Sequence, residues 1–204
     1  MIIDKLLPLI TLEDSKSAKK IGELLVSNNY TCAEVTFRTS ATASIINEMS
    51  KVDGLIVGAG TVTSIDQVKV AINNGAKFII SPGINHSVIQ YCVENSIPVF
   101  PGIITPSEIE TCKNYGLSTL KVFPAGIFGG TKLLDALYGP YKNIKFIPTG
   151  GIDESNYLDY LKRPNVISIG GSFFIDKKMV ENENWEDLNE LLERLRKKYE
   201  ELSI

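Results

Sequence analysis

Eight short apolar runs that alternate with longer amphipathic ones predict an α/β fold: a single-domain TIM (β/α)8 barrel over residues 1–204, with 182–204 forming a terminal helix packed on it. Two observations select the closed barrel over an open, doubly wound sheet. No GxGxxG follows the first run, as a dinucleotide-binding sheet would require. Glycine pairs instead follow the last two runs, Gly150–Gly151 and Gly170–Gly171, in the two loops where a barrel commonly builds an anion site.

The apolar runs are Leu6–Thr11, Ala33–Phe37, Leu55–Ala59, Phe78–Ser81, Pro98–Pro101, Leu120–Phe123, Phe146–Thr149 and Val166–Ile169. They recur at about the length of a βα unit and are mostly apolar on both faces, as parallel strands covered by helices read. Between them, Asp14–Asn29 opens on a good N-cap residue and places Ala18, Ile21, Leu24 and Leu25 on one face. Ser64–Asn74 follows the same plan and stops before Gly75. Further helices are expected near Thr105–Tyr115, Asp153–Leu161 and Asn184–Glu201. The last carries a stripe of Trp185, Leu188, Leu191, Leu192, Leu195 and Tyr199 that suits docking on the barrel.

A formal net charge of −3 argues against nucleic acid or an anionic membrane as the main partner. Cys32, Cys92 and Cys112 are scattered and odd in number, so a disulfide framework is not expected and a reducing cytoplasm is the natural compartment. The N-terminus lacks a signal-peptide pattern, and no run reaches the roughly 18 apolar residues of a membrane span. His86 is the lone histidine and is expected at the start of the fourth helix. One histidine with three separated cysteines cannot build an ordinary zinc site, so neither metal nor cofactor is expected.

Lys121 is the most informative residue. In Thr119–Leu120–Lys121–Val122–Phe123, alternation puts Leu120 and Val122 against the helices and Thr119, Lys121 and Phe123 toward the lumen. Burial favours the uncharged amine, the form that attacks a carbonyl to make an imine. In Ala33–Arg38, Glu34, Thr36 and Arg38 share the lumenal face, with Arg38 nearest the C-terminal mouth. Glu34 could move protons beside an iminium, and Arg38 could grip a carboxylate with its planar fork. A structural ion pair without chemistry is the alternative. The glycine pairs offer unobstructed backbone N–H groups for an anion, with the Ser172 hydroxyl nearby.

Taken together, Glu-Val-Thr-Phe-Arg-Thr (34–39), Val-Gly-Ala-Gly-Thr-Val (57–62), Ile-Ser-Pro-Gly (80–83), Lys-Val-Phe-Pro-Ala (121–125), Pro-Thr-Gly-Gly-Ile (148–152) and Ile-Gly-Gly-Ser (169–172) resemble the 2-keto-3-deoxy-6-phosphogluconate (KDPG)/4-hydroxy-2-oxoglutarate (KHG) aldolases. The resemblance implies a class I aldolase, a cytoplasmic homotrimer that releases pyruvate and D-glyceraldehyde 3-phosphate. Lys121 would be the Schiff-base lysine and Glu34 the proton-transfer residue. Arg38, Thr61 and the backbone near Pro82 would hold the pyruvyl carboxylate, with Phe123 against its methyl region. Thr149 would face the hydroxyl end, and Gly150, Gly151, Gly171 and Ser172 the phosphate. The chain departs from the family pattern at two places. Leu9–Ile10–Thr11–Leu12 supplies no cation after the first strand, and Gly126 stands where many relatives are acidic. The alternatives are the 2-dehydro-3-deoxy-6-phosphogalactonate aldolase, a sugar-phosphate epimerase or isomerase, and a metabolite-binding barrel.

Overall fold

The computed structural model describes residues 3–202. Strands and helices alternate as β1 (Leu6–Ile10), α1 (Ala18–Ser27), β2 (Cys32–Thr36), α2 (Thr42–Met49), β3 (Ile56–Gly60), α3 (Ile65–Asn73), β4 (Phe78–Ser81), α4 (His86–Glu94), β5 (Val99–Ile103), α5 (Pro106–Asn114), β6 (Thr119–Val122), α6 (Thr131–Tyr138), β7 (Lys145–Pro148), α7 (Tyr157–Leu161) and β8 (Ile169–Gly171), followed by α8 (Lys177–Glu181) and α9 (Trp185–Glu200). The strands form one eight-stranded sheet in the order β7-β6-β5-β4-β3-β2-β1-β8. Isolated parallel bridges Phe146↔Val166 and Thr149↔Gly170 join its two ends and close the ring. The expected barrel is the observed one.

Alternation along each strand sorts the side chains into two layers. Val35, Ile79, Leu120 and Val122 point outward into the core shared with the helices. Leu7, Cys32, Phe78, Ile80 and Ile147 point inward and plug the N-terminal end of the barrel. The lumen above that plug is polar, with Glu34, Thr36, Lys121 and Thr149 all buried. The three cysteines are free and buried apart from one another.

Several strand boundaries shift by one or two residues from the sequence expectation, and α7 begins at Tyr157 rather than Asp153; three further differences have a visible cause. The segment from Asp14 does not begin α1. The Asp14 carboxylate instead accepts the Lys16 backbone N–H at 2.9 Å, and the helix starts only at Ala18. β2 ends at Thr36, where Arg38 N–H donates to the Thr36 carbonyl at 2.8 Å, so Arg38 lies in a turn and not on the strand. The last strand is Ile169–Gly171, because Val166 makes only an isolated bridge and the ladder with β1 opens at Leu6↔Ile169. Gly75 does follow α3 with φ 105, as its C′ position requires.

The C-terminal helix is fastened to the barrel over long sequence distances. Leu188, Leu192 and Leu195 are fully buried. The Tyr30 and Tyr157 hydroxyls donate to the carbonyls of Leu192 and Leu195, each at 2.9 Å. Arg196 pairs with Asp4 at 3.0 Å and lies over the rings of Tyr30 and Tyr199. Leu192→Ala is expected to cost about 2–5 kcal/mol in urea denaturation. An alkaline limit follows from buried acids. Burial pushes the Cys32 thiol up to about 12, the Cys92 and Cys112 thiols up to about 11 and the Tyr157 hydroxyl up to about 12. The folded chain therefore keeps protons that the unfolded chain releases once pH passes about 9. This stabilisation is complete below that pH and is lost as pH climbs toward about 12. Denaturation midpoints should be lower at pH 10.5 than at pH 8, all else equal.

Candidate active site

Lys121 and Glu34 meet at the centre of the lumen. Register places Lys121 beside Gly102 of β5 and Ile147 of β7, and Glu34 beside Leu9 of β1 and Gly58 of β3. Their side chains cross the barrel, and the Lys121 ammonium donates to Glu34 Oε1 at 3.3 Å. Lys121 is 4% exposed and Glu34 0%. Neither charge could be left alone at this depth, since an unpaired buried ion costs several kcal/mol. The pair is net neutral, and one proton transfer converts it into amine and carboxylic acid without adding charge. Glu34 Oε2 is buried and has no hydrogen-bond partner among the described residues, which leaves one acceptor open in the lumen.

Glycines make room for this crossing. A Cβ on Gly60 would stand 2.0 Å from Glu34 Oε1, and one on Gly58 would stand 2.0 Å from the Phe78 ring. Both face the lumen from β3, so the strand presents no side chain where Glu34 and Phe78 need the volume. A Cβ on Gly102 would stand 2.2 Å from the Pro82 carbonyl oxygen. The backbone leaving β4 thus lies against the neighbour of Lys121. These clearance glycines shape the lumen, and the sequence reading did not single them out. Their signal was available in the period-two spacing of Gly58 and Gly60 behind Ile56.

Around the pair stand the other expected residues. The Lys121 ammonium lies 5.2 Å from the centroid of the Phe123 ring. That ring in turn abuts the Gly150 loop, where a Cβ would be 3.2 Å away. Gly150 and Gly151 have φ 85 and 74, a conformation that costs other residues energy. Thr149 is 2% exposed and, with Leu9, fills the space beside Gly170. Thr61 follows β3 with φ 57, strained for a β-branched residue at the barrel mouth. The Thr36 hydroxyl is bound to that of Thr11 at 2.7 Å, which ties β2 to the segment after β1.

Arg38 and Ser172 both line a cavity of about 530 Å³ at the C-terminal rim, floored in part by Leu9. Arg38 has no ion-pair partner among the described residues, so its guanidinium is available to an anion. Gly171 is buried, and the Phe173 ring folds into the space its side chain would take. His86 opens α4, where its Nδ1 lies 2.8 Å from the Tyr115 hydroxyl on the exposed face. No group of three His, Cys, Asp or Glu side chains arranged to hold a metal occurs among the described residues.

The clearance at β3 is testable. Gly60→Ala is expected to displace Glu34 and lower turnover by about 100-fold, while Gly139→Ala, with ample room, should not. Full turnover in a folded Gly60→Ala protein would show that the crossing pair tolerates displacement.

Residues 1–191 match the family model for KDPG and KHG aldolase. The chain is 36% identical over 189 residues to the 2-dehydro-3-deoxy-phosphogluconate aldolase of Haemophilus influenzae, covering 92% of this chain and 89% of that protein. It is 37% identical over 185 residues to the KHG/KDPG aldolase of Escherichia coli K12, covering 90% and 87%. Among solved structures it is similar to the KDPG aldolase of Legionella pneumophila with pyruvate captured at low pH as a covalent carbinolamine intermediate. The TM-score there is 0.91 at 31% identity over 95% of each chain. On these matches the chain belongs to the KDPG and KHG aldolase family.

Proposed function

We propose that this protein is a class I lyase that cleaves 2-dehydro-3-deoxy-6-phosphogluconate to pyruvate and D-glyceraldehyde 3-phosphate. The observation that carries this reading is the buried Lys121–Glu34 contact in the barrel lumen. Once its proton has moved to the neighbouring carboxylate, the Lys121 amine attacks the C2 ketone and forms a carbinolamine. Loss of water then gives an iminium, with Glu34 holding the proton that the departing oxygen needs. Glu34 next accepts the C4 hydroxyl proton. The C3–C4 bond breaks and its electron pair flows into the iminium, leaving an enamine and the free aldehyde. Protonation at C3 and hydrolysis release pyruvate and restore Lys121.

The surrounding residues take supporting roles. Arg38, Thr61 and the backbone at Pro82 hold the pyruvyl carboxylate, and Phe123 covers the methyl side. Thr149 faces the C4 hydroxyl end and favours the gluconate over the galactonate epimer. Backbone N–H groups at Gly150, Gly151 and Gly171, with the Ser172 hydroxyl, hold the far end of the substrate. The shorter 4-hydroxy-2-oxoglutarate fits the same scheme, with glyoxylate as the second product. We place the protein in the cytoplasm as a homotrimer, in keeping with the family resemblance and the free thiols.

Borohydride added with pyruvate should leave one reduced adduct, at Lys121, on peptide mass mapping. An adduct at any other residue removes Lys121 from the chemistry. Glu34→Gln should slow pyruvate release by about 10²-fold or more in a lactate dehydrogenase-coupled assay. An unimpaired variant would leave the proton transfer to some other group.

A further inference from the structure

A second cavity, of about 360 Å³, lies between α7 and the loop that leads from β6 into α6. Neither Lys121 nor Glu34 lines it. The N-cap position of α6 is Gly130, which has no side chain to satisfy the first helical N–H groups. The Gly129 and Thr131 N–H groups and the Thr131 hydroxyl find no acceptor among the described residues, and both residues line the cavity. Lys132 lines it too and has no ion-pair partner among the described residues. Tyr160 of α7 completes the set. It is 4% exposed, and its hydroxyl lies 2.8 Å from where a Cβ on Gly130 would stand. That hydroxyl makes no hydrogen bond among the described residues, although a tyrosine this deep usually finds a partner for its oxygen. Burial holds the Tyr160 hydroxyl above its ordinary pKa, so it remains a donor at neutral pH.

We infer that this cavity is a second ligand site and that it takes a phosphate dianion, free or carried as the monoester of a small metabolite. The groups around it are donors without acceptors: backbone N–H groups, two hydroxyls and an ammonium. A tetrahedral oxyanion can accept from several of them at once, and its charge suits the positive end of α6. A neutral polyol would leave the ammonium and the helix end unanswered. The one carboxylate in the cavity, that of Asp159, is paired with Lys162 at 3.0 Å. Both are exposed, so Asp159 opposes an anion only weakly. The inference does not rest on the aldolase reading above. The same loop does touch the proposed substrate site, because Gly126 N–H donates to the Gly150 carbonyl at 2.9 Å.

Amide NMR titration of the isotope-labelled protein with inorganic phosphate, and separately with glycerol phosphate, tests this. The Gly129 and Thr131 amide signals are expected to move and to saturate. Tyr160→Phe removes only the unpartnered hydroxyl and should weaken that binding by about tenfold, as should Thr131→Val. Tighter binding of glycerol phosphate identifies a metabolite ester as the occupant, and tighter binding of inorganic phosphate the free ion. Movement confined to Gly150, Gly151, Gly171 and Ser172 overturns the inference and leaves the aldolase reading intact. So do shifts that sodium chloride at the same ionic strength reproduces, or an affinity that both substitutions leave unchanged.

Discussion

The rest of this molecule is arranged around one contact, a lysine and a glutamate held face to face in a lumen sealed from water at its lower end. Neither residue could occupy that depth without the other. Desolvating a single charge is expensive, and only a partner that takes up or gives back a proton at close range offsets it. The barrel supplies the geometry. β2 and β6 lie on opposite parts of the ring, so their inward side chains cross it, and the Leu7–Cys32–Phe78–Ile80–Ile147 plug keeps the crossing from sinking or flooding. The amine that can bond to carbon and the carboxylate that can manage its proton are thus one structural unit.

The glycines are the counterpart of that contact. β3 gives up two lumenal side chains, at Gly58 and Gly60, and β5 a third, at Gly102. A strand with this much glycine is intrinsically weak. It is retained between β2 and β4 by five register pairs on one side and an apolar cover on the other. The cost in strand stability is thereby moved away from the reacting groups to positions that helix packing can support.

Much of this was legible in the sequence, and the failures have physical causes. Lys121 stood out because a lone charged residue inside Leu-Lys-Val can only face a lumen, and Glu34 shared the lumenal phase of its own strand. Alternation was carried too far at Arg38, because nothing in Phe37–Arg38 announces that the backbone turns back on Thr36. The last strand was placed early because Val166–Ile169 is apolar whereas the paired residues end in glycine, which has no hydropathy signal of its own. Asp14 has the chemistry of a helix cap but satisfies its carboxylate on the next turn. The clearance glycines were read as parts of a motif and not as absent volume, since a missing Cβ has meaning only once the neighbour that fills its place is known. The shared cavity of Lys16, Lys177 and Arg38 brings the segment after β1 beside the segment from β8 into α8, a proximity that local pattern cannot express.

The unsatisfied oxygen of Glu34 has a consequence for how such a protein changes over time. In the resting barrel that atom is a liability, a buried acceptor with nothing to accept. An apolar residue of similar size, together with an uncharged partner at position 121, would fill the same volume and remove the debt. Selection for durability alone would therefore drift toward an inert barrel of the same shape. A carboxylate at that depth thus costs the resting barrel stability that an apolar pair of the same volume would restore.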